Sequence, residues 1–120
     1  MTPSDVTIRR ALESGNPVVQ GNKATLIWQG DSAPHLISDI YGWEDKPKPF
    51  KRTADPMIWS CSLTVPRDAY VEYVFYDPLT QEKVFDPLNR QTVSNGLGSR
   101  NHFFYMPETM PSPFSMRRAR

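Results

Sequence analysis

Residues 57–65 constrain this chain more than any other stretch: Met57, Trp59, Cys61, Leu63 and Val65 alternate strictly with Ile58, Ser60, Ser62 and Thr64. A period of two sends successive side chains to opposite faces of a strand, so the run reads as a β-strand with the first set turned inward. Val71, Tyr73 and Phe75 repeat the pattern after the turn Pro66-Arg67-Asp68. Asp77-Pro78-Leu79-Thr80 turns the chain into a short strand at 82–85, and Asp86-Pro87-Leu88-Asn89 closes that strand. Asn95-Gly96-Leu97-Gly98 bends into a last strand at 102–106. Upstream, 24–28 reads as a strand with Ala24, Leu26 and Trp28 inward, although Ile27 spoils the alternation, and 35–41 reads as the next. About seven short strands at this turn spacing predict an all-β, immunoglobulin-like antiparallel sandwich. Its core is expected to hold Leu26, Trp28, Trp59, Cys61, Leu63, Tyr73 and Phe75.

The N-terminus follows a different period. Thr2 is a candidate N-cap, Pro3 fits the first helical position, and Asp5 lies in the first turn. Ile8, Ala11 and Leu12 share one helical face and Gly15 supplies the stop. Three apolar anchors bury little, so the helix is expected to pack on something larger. The expected division is a helical appendage at 1–15, the sandwich at 16–108 and a linker or tail at 109–120.

The 120 residues suffice for one ordinary domain. Gly and Pro (6 and 12 residues) together stay below the ~25% that marks a disordered chain. Net charge is +1, and that balance comes from the tail arginines Arg117, Arg118 and Arg120. Such a field argues for neither nucleic acid nor an anionic membrane. No run approaches the roughly 18 apolar residues that span a bilayer, and 1–5 lack the basic and apolar regions of a secretory signal. A lone cysteine, Cys61, excludes an internal disulfide framework and fits a reducing compartment, the cytoplasm.

No catalytic constellation assembles. The Gly96-Leu-Gly-Ser99-Arg context lacks the second glycine of a nucleophile elbow and lies in an antiparallel bend. His35 and His102 have no serine or cysteine in a recognisable setting, and with Cys61 they do not make zinc-ligand spacing. Cys61 faces the core, where a thiol is inert. The glycines at 95–98 open no helix and so cradle no phosphate. No cofactor is expected, and the chain alone is not expected to be an enzyme.

Across 35–108 the order of features becomes specific. A strand leads to Tyr41-Gly42-Trp43, a polar loop, Trp59-x-Cys-x-Leu-x-Val-Pro66, Val71-x-Tyr-x-Phe75, a hairpin and Phe85-Asp86-Pro87. This order resembles the early-set immunoglobulin-like sandwiches that include glycogen-binding domains and the N-terminal domains of branching enzymes. It is more similar still to the N-terminal domain of enterochelin (enterobactin) esterases. The likeness rests on Gly15-Asn16-Pro17-Val18-Val19, Thr25-Leu26-Ile27-Trp28, the Phe-Asp-Pro-Leu-Asn stretch at 85–89 and the Ser-x-Asn-x-x-x-x-Met-Pro ending at 99–107, and it covers about 15–108. In those esterases a following α/β-hydrolase domain carries a Ser-His-Asp type triad that cuts a siderophore's ester bonds during iron acquisition. The resemblance thus implies a non-catalytic half of a serine esterase, with that hydrolase domain as partner. A free-standing interaction domain and a carbohydrate-binding module are the alternatives.

Glycogen-binding relatives hold sugar with two tryptophans, a lysine and an asparagine. The resemblance puts Trp43 at the first tryptophan and Asn101 at the asparagine, while the second tryptophan falls near Lys83 and the lysine at Val74. Two of the four residue types are thus missing, one of them a stacking platform worth roughly 1–3 kcal/mol. Tyr41, Trp43, Lys46, Lys48, Phe50, Lys51 and Arg52 mix aromatic and basic character in one loop. Such a mixture suits an anionic aromatic ligand such as a ferric catecholate siderophore, through cation–π and charge contacts. Tyr41, Trp43, Lys46, Lys48, Phe50, Arg52 and Asn101 are therefore the ligand or interface candidates.

Overall fold

The protein is described here by a computed structural model covering residues 3–39 and 47–108. Tyr41, Trp43, Lys46, the Thr2 cap and the 109–120 tail lie outside the described residues. The alternating run forms β6 (Ile58–Thr64), which pairs antiparallel with β2 (Lys23–Gln29), setting Leu26 opposite Cys61 and Ala24 opposite Leu63. β1 (Val18–Gln20) flanks β2 and β5 (Lys51–Arg52) flanks β6, giving a four-stranded sheet in the order β1-β2-β6-β5. The second sheet runs β4 (Lys48–Pro49), β3 (His35–Ser38), β7 (Tyr70–Asp77), β10 (Arg100–Tyr105) and β9 (Thr92–Ser94), with β8 (Glu82–Val84) also on β7. All pairings are antiparallel. The fold is the expected sandwich. The two- and three-residue strands β1, β4, β5 and β9 are too short to leave a period in the sequence.

Between the sheets lie Ala24, Leu26, Cys61 and Leu63 from one and Leu36, Val71, Tyr73, Phe75 and Phe104 from the other. Phe50 joins them edge-on to Phe75, with ring centroids 5.3 Å apart. Burial pushes the Cys61 thiol up to about 11, against a partial pull from Lys48 and Lys51, so it stays protonated and unreactive. Trp28 and Trp59 are only half-buried. They face each other across β2 and β6 at the sandwich end, where their indole N–H groups donate to the carbonyls of Ser32 and Gly30. Met57, expected inward, lies in the turn that precedes the strand and is exposed.

A second cluster explains Ile27. The four-stranded sheet is covered on its outer face by α1 (Asp5–Ser14), and Ala11 packs there with Val18, Ile27 and Ile58. Both faces of β2 are therefore apolar, which breaks the alternation. The N-cap is Ser4, not Thr2: its Oγ accepts from the Thr7 amide at 3.2 Å. Leu12 is exposed, and Thr7 takes the buried place beside Ala11. At the far end Gly15 has φ 101°, a conformation L side chains rarely adopt, and a Cβ there would sit 2.5 Å from the Leu88 carbonyl oxygen. The Asn16 amide donates to that same oxygen, so the helix end is pressed against the turn at 86–89.

Candidate functional site

The described residues hold two polar constellations, one buried and one open. The buried one centres on Asp86, which has no solvent exposure. Its carboxylate accepts from Tyr73 Oη at 2.7 Å, from Asn16 Nδ2 and from the Leu88 amide, and its own amide donates to His102 Nε2. Asn89 Nδ2 donates to Tyr73 Oη and to the Phe103 carbonyl. Asp, His and Tyr here resemble a catalytic set only in composition. His102 meets the Asp86 backbone, not its carboxylate, and every group is walled in. Burial raises the Asp86 pKa against the pull of its donors, and burial lowers that of His102 against the pull of Asp86. The cluster ties the α1 turn, β7 and β10 together and offers nothing to a substrate.

The open constellation lies on the outer face of the six-stranded sheet. Alternation that sends Val71, Tyr73 and Phe75 inward sends Tyr70, Glu72, Val74 and Tyr76 outward. On β10 the outward set is Asn101, Phe103 and Tyr105, with Phe103 opposite Glu72 and Tyr105 opposite Tyr70. A hollow of about 820 Å³ runs over this face, with Ile37, Val74, Tyr76 and Leu97 as its apolar lining and Glu72, Lys83 and Asn101 among its six other, polar side chains. Its shape comes from a fork in the sheet. Along one edge of β7, β10 pairs with residues 70–73 and β8 with residues 75–77. Lys83 Nζ crosses the fork to the Ser99 hydroxyl and to the Arg100 carbonyl at 2.6 Å. At the other end Asn101 Nδ2 donates to Glu72 Oε1 at 2.9 Å. Leu97, at the tip of the β9–β10 turn, is 87% exposed. A concave face that combines apolar lining with fixed polar groups is what a binding surface requires.

The sequence candidates are spread over this architecture. Asn101 lies in the hollow. Lys48 on β4 reaches across the sandwich edge, donating to the Ser62 carbonyl at 2.6 Å. Phe50 is committed to the core. The Arg52 guanidinium lies 4.6 Å from the Trp59 ring centroid on the four-stranded sheet and so faces away from the hollow. Glu72, Tyr70, Tyr76, Phe103 and Tyr105 were not singled out in the sequence. Their signal was present in Tyr70-x-Glu-x-Val-x-Tyr76, where the outward set is as aromatic as the inward one.

No protein-family model matches the chain, and no curated protein matches it. Solved structures do. Enterobactin esterase FES from Shigella flexneri, solved in the presence of 2,3-dihydroxy-N-benzoyl-serine, superposes with a TM-score of 0.63 at 18% identity over 92% of this chain and 37% of that one. The same esterase in the presence of enterobactin gives 0.66 at 18% identity, over 88% and 36%. Ferric enterobactin esterase from Salmonella typhimurium gives 0.64 at 17%, over 88% and 38%. The chain spans little more than a third of the length of these esterases, and it shares the fold of that part.

Proposed function

We propose that this chain is the non-catalytic N-terminal domain of a siderophore (enterochelin-type) esterase, packing on a following α/β-hydrolase domain and helping to shape its substrate entrance. The observation that carries this reading is the superposition of nearly the whole chain on about a third of each esterase. The outer face of the six-stranded sheet is the surface offered to that domain. Tyr41, Trp43, Lys46 and Lys48 remain the candidates for meeting a ferric catecholate, an anion with aromatic faces. The reaction belongs to the hydrolase domain, a serine esterase acting in cytoplasmic iron acquisition. The native reading frame past codon 120 is the test: a Gly-x-Ser-x-Gly elbow on a strand–turn–helix pattern is expected, and a stop codon there overturns the reading. The isolated chain should leave aryl esters intact, whereas turnover surviving repurification would contradict the division of labour.

One observation favours carbohydrate binding as a second reading. Val74, Lys83 and Asn101, three of the four positions corresponding to a sugar-binding quartet, line one hollow, with Asn101 alone of the three keeping the residue type of that quartet. Soluble maltooligosaccharides should then change the Trp43 indole signal, and unchanged spectra at millimolar sugar dispose of it.

A further inference from the structure

We propose that Glu72, framed by Tyr70, Phe103 and Tyr105, seats a guanidinium or ammonium side chain presented by a partner polypeptide. The partner's place as an adjoining hydrolase domain rests on the function proposed above; the chemistry of the seat does not. Tyr70 lies 5.6 Å from Phe103 and 5.2 Å from Tyr105 by ring centroids, and Phe103 lies 5.9 Å from Tyr105, which makes one continuous aromatic platform. Tyr70 and Tyr105 are 38% and 43% exposed. Glu72 stands half-buried within the platform. Its Oε2 accepts from Tyr70 Oη and its Oε1 from Asn101 Nδ2, both at 2.9 Å.

Both donors are neutral. Among the described residues the ion pair is Arg67–Glu108, so no described cation balances Glu72. Two hydrogen bonds hold the carboxylate in place, and each oxygen keeps capacity for one more donor. The ring faces add their own attraction for a cation. Burial and the hydrogen bond to Glu72 hold the Tyr70 phenol protonated, and the charge of Asp39 acts in the same direction. A planar guanidinium suits the seat best, since it can lie on a ring while donating to the carboxylate. A hard metal cation would need several oxygen ligands, and among the described residues no group of three or more acidic, His or Cys side chains could hold one. The platform runs on into the hollow through Glu72 and Asn101, so the cation is expected to arrive on a peptide that covers both.

The test is titration of the isolated chain with a blocked tri-arginine peptide, read by NMR at the ring protons of Tyr70, Phe103 and Tyr105. Saturable shifts are expected at millimolar peptide. Glu72→Gln, which still accepts from Tyr70, should weaken binding about tenfold, and Glu13→Gln on α1 should leave it unchanged. A tri-citrulline peptide, equal in shape but neutral, should not bind. Equal binding of citrulline, equal binding by Glu72→Gln, or no saturation with arginine overturns the proposal, and none of these outcomes alters what the reading frame past codon 120 encodes.

Discussion

The two sheets of this sandwich have outer faces of similar apolar character and opposite fates. The four-stranded sheet presents Val18, Ile27 and Ile58 and closes over them with its own helix α1. The six-stranded sheet presents Val74, Tyr76, Phe103, Tyr70 and Tyr105 around a hollow, and no described helix covers it. An antiparallel sheet ordinarily turns a polar face to water. An apolar outer face therefore calls for cover: on one side the chain supplies it with α1, and on the other the proposed partner would supply it.

The sharpest way to break this comparison is to damage the covered face. Ile27→Ala removes a fully buried side chain from under α1, and should cost roughly 2–5 kcal/mol in urea denaturation. A cost near that of an exposed substitution would mean that α1 does not seal the sheet. Gly15→Ala attacks the seal from its hinge, because the new Cβ meets the Leu88 carbonyl oxygen at 2.5 Å and φ is positive. A loss of roughly 1–3 kcal/mol is expected, with cysteine labelling at Cys61 reporting whether the opening reaches the core.

A third expectation concerns the buried cluster that anchors the α1 turn. Burial depresses the folded His102 pKa below its ordinary 6.5. The folded state therefore resists the proton that the unfolded chain accepts, and stability present above pH 6.5 should fall as pH drops through the folded value. Asp86 has the opposite sign. Its pKa is raised from 3.8, so its protonation favours the fold once pH falls through that raised value. The two groups thus act in opposite senses on acidification, the His102 loss being offset by the Asp86 gain in thermal melts. His102→Gln, which can still accept from the Asp86 amide, should remove the loss. The smallest effect is expected on the open face. Tyr105→Ser should shift stability by no more than about 1 kcal/mol, the loss of its ring contacts with Tyr70 and Phe103.

Much of this fold was legible in the alternation at 57–65 and 71–75, where one face is core and the other is not. Ile27 was not, since a second apolar face looks like noise until the helix over it is seen. The two Asp-Pro-Leu triplets show the same limit. Asp77 Oδ1 accepts from the Leu79 amide at 2.8 Å and Asp86 Oδ1 from the Leu88 amide at 2.9 Å, so the local turn is the same. Only Asp86 is buried, through Asn16 and Tyr73, which reach it from distant parts of the chain. Phe50 read as a surface ring because Lys48, Lys51 and Arg52 surround it. β5 turns Lys51 and Arg52 out, Lys48 is tied to the Ser62 carbonyl at the sandwich edge, and the ring is left inside. The open face was overlooked for a related reason, since outward residues of a sandwich strand are assumed to be solvated. Tyr70, Tyr76, Phe103 and Tyr105 contradict that assumption.

Hydroxyl-radical labelling, run on the isolated chain and on the polypeptide that the native reading frame encodes, tests the contrast between the two faces most directly. The account expects Tyr70, Phe103, Tyr105 and Leu97 to label readily in the isolated chain and to be protected in the longer protein, with Ile27 and Ile58 protected in both. Equal labelling of the Tyr70–Tyr105 face in the two samples would contradict it.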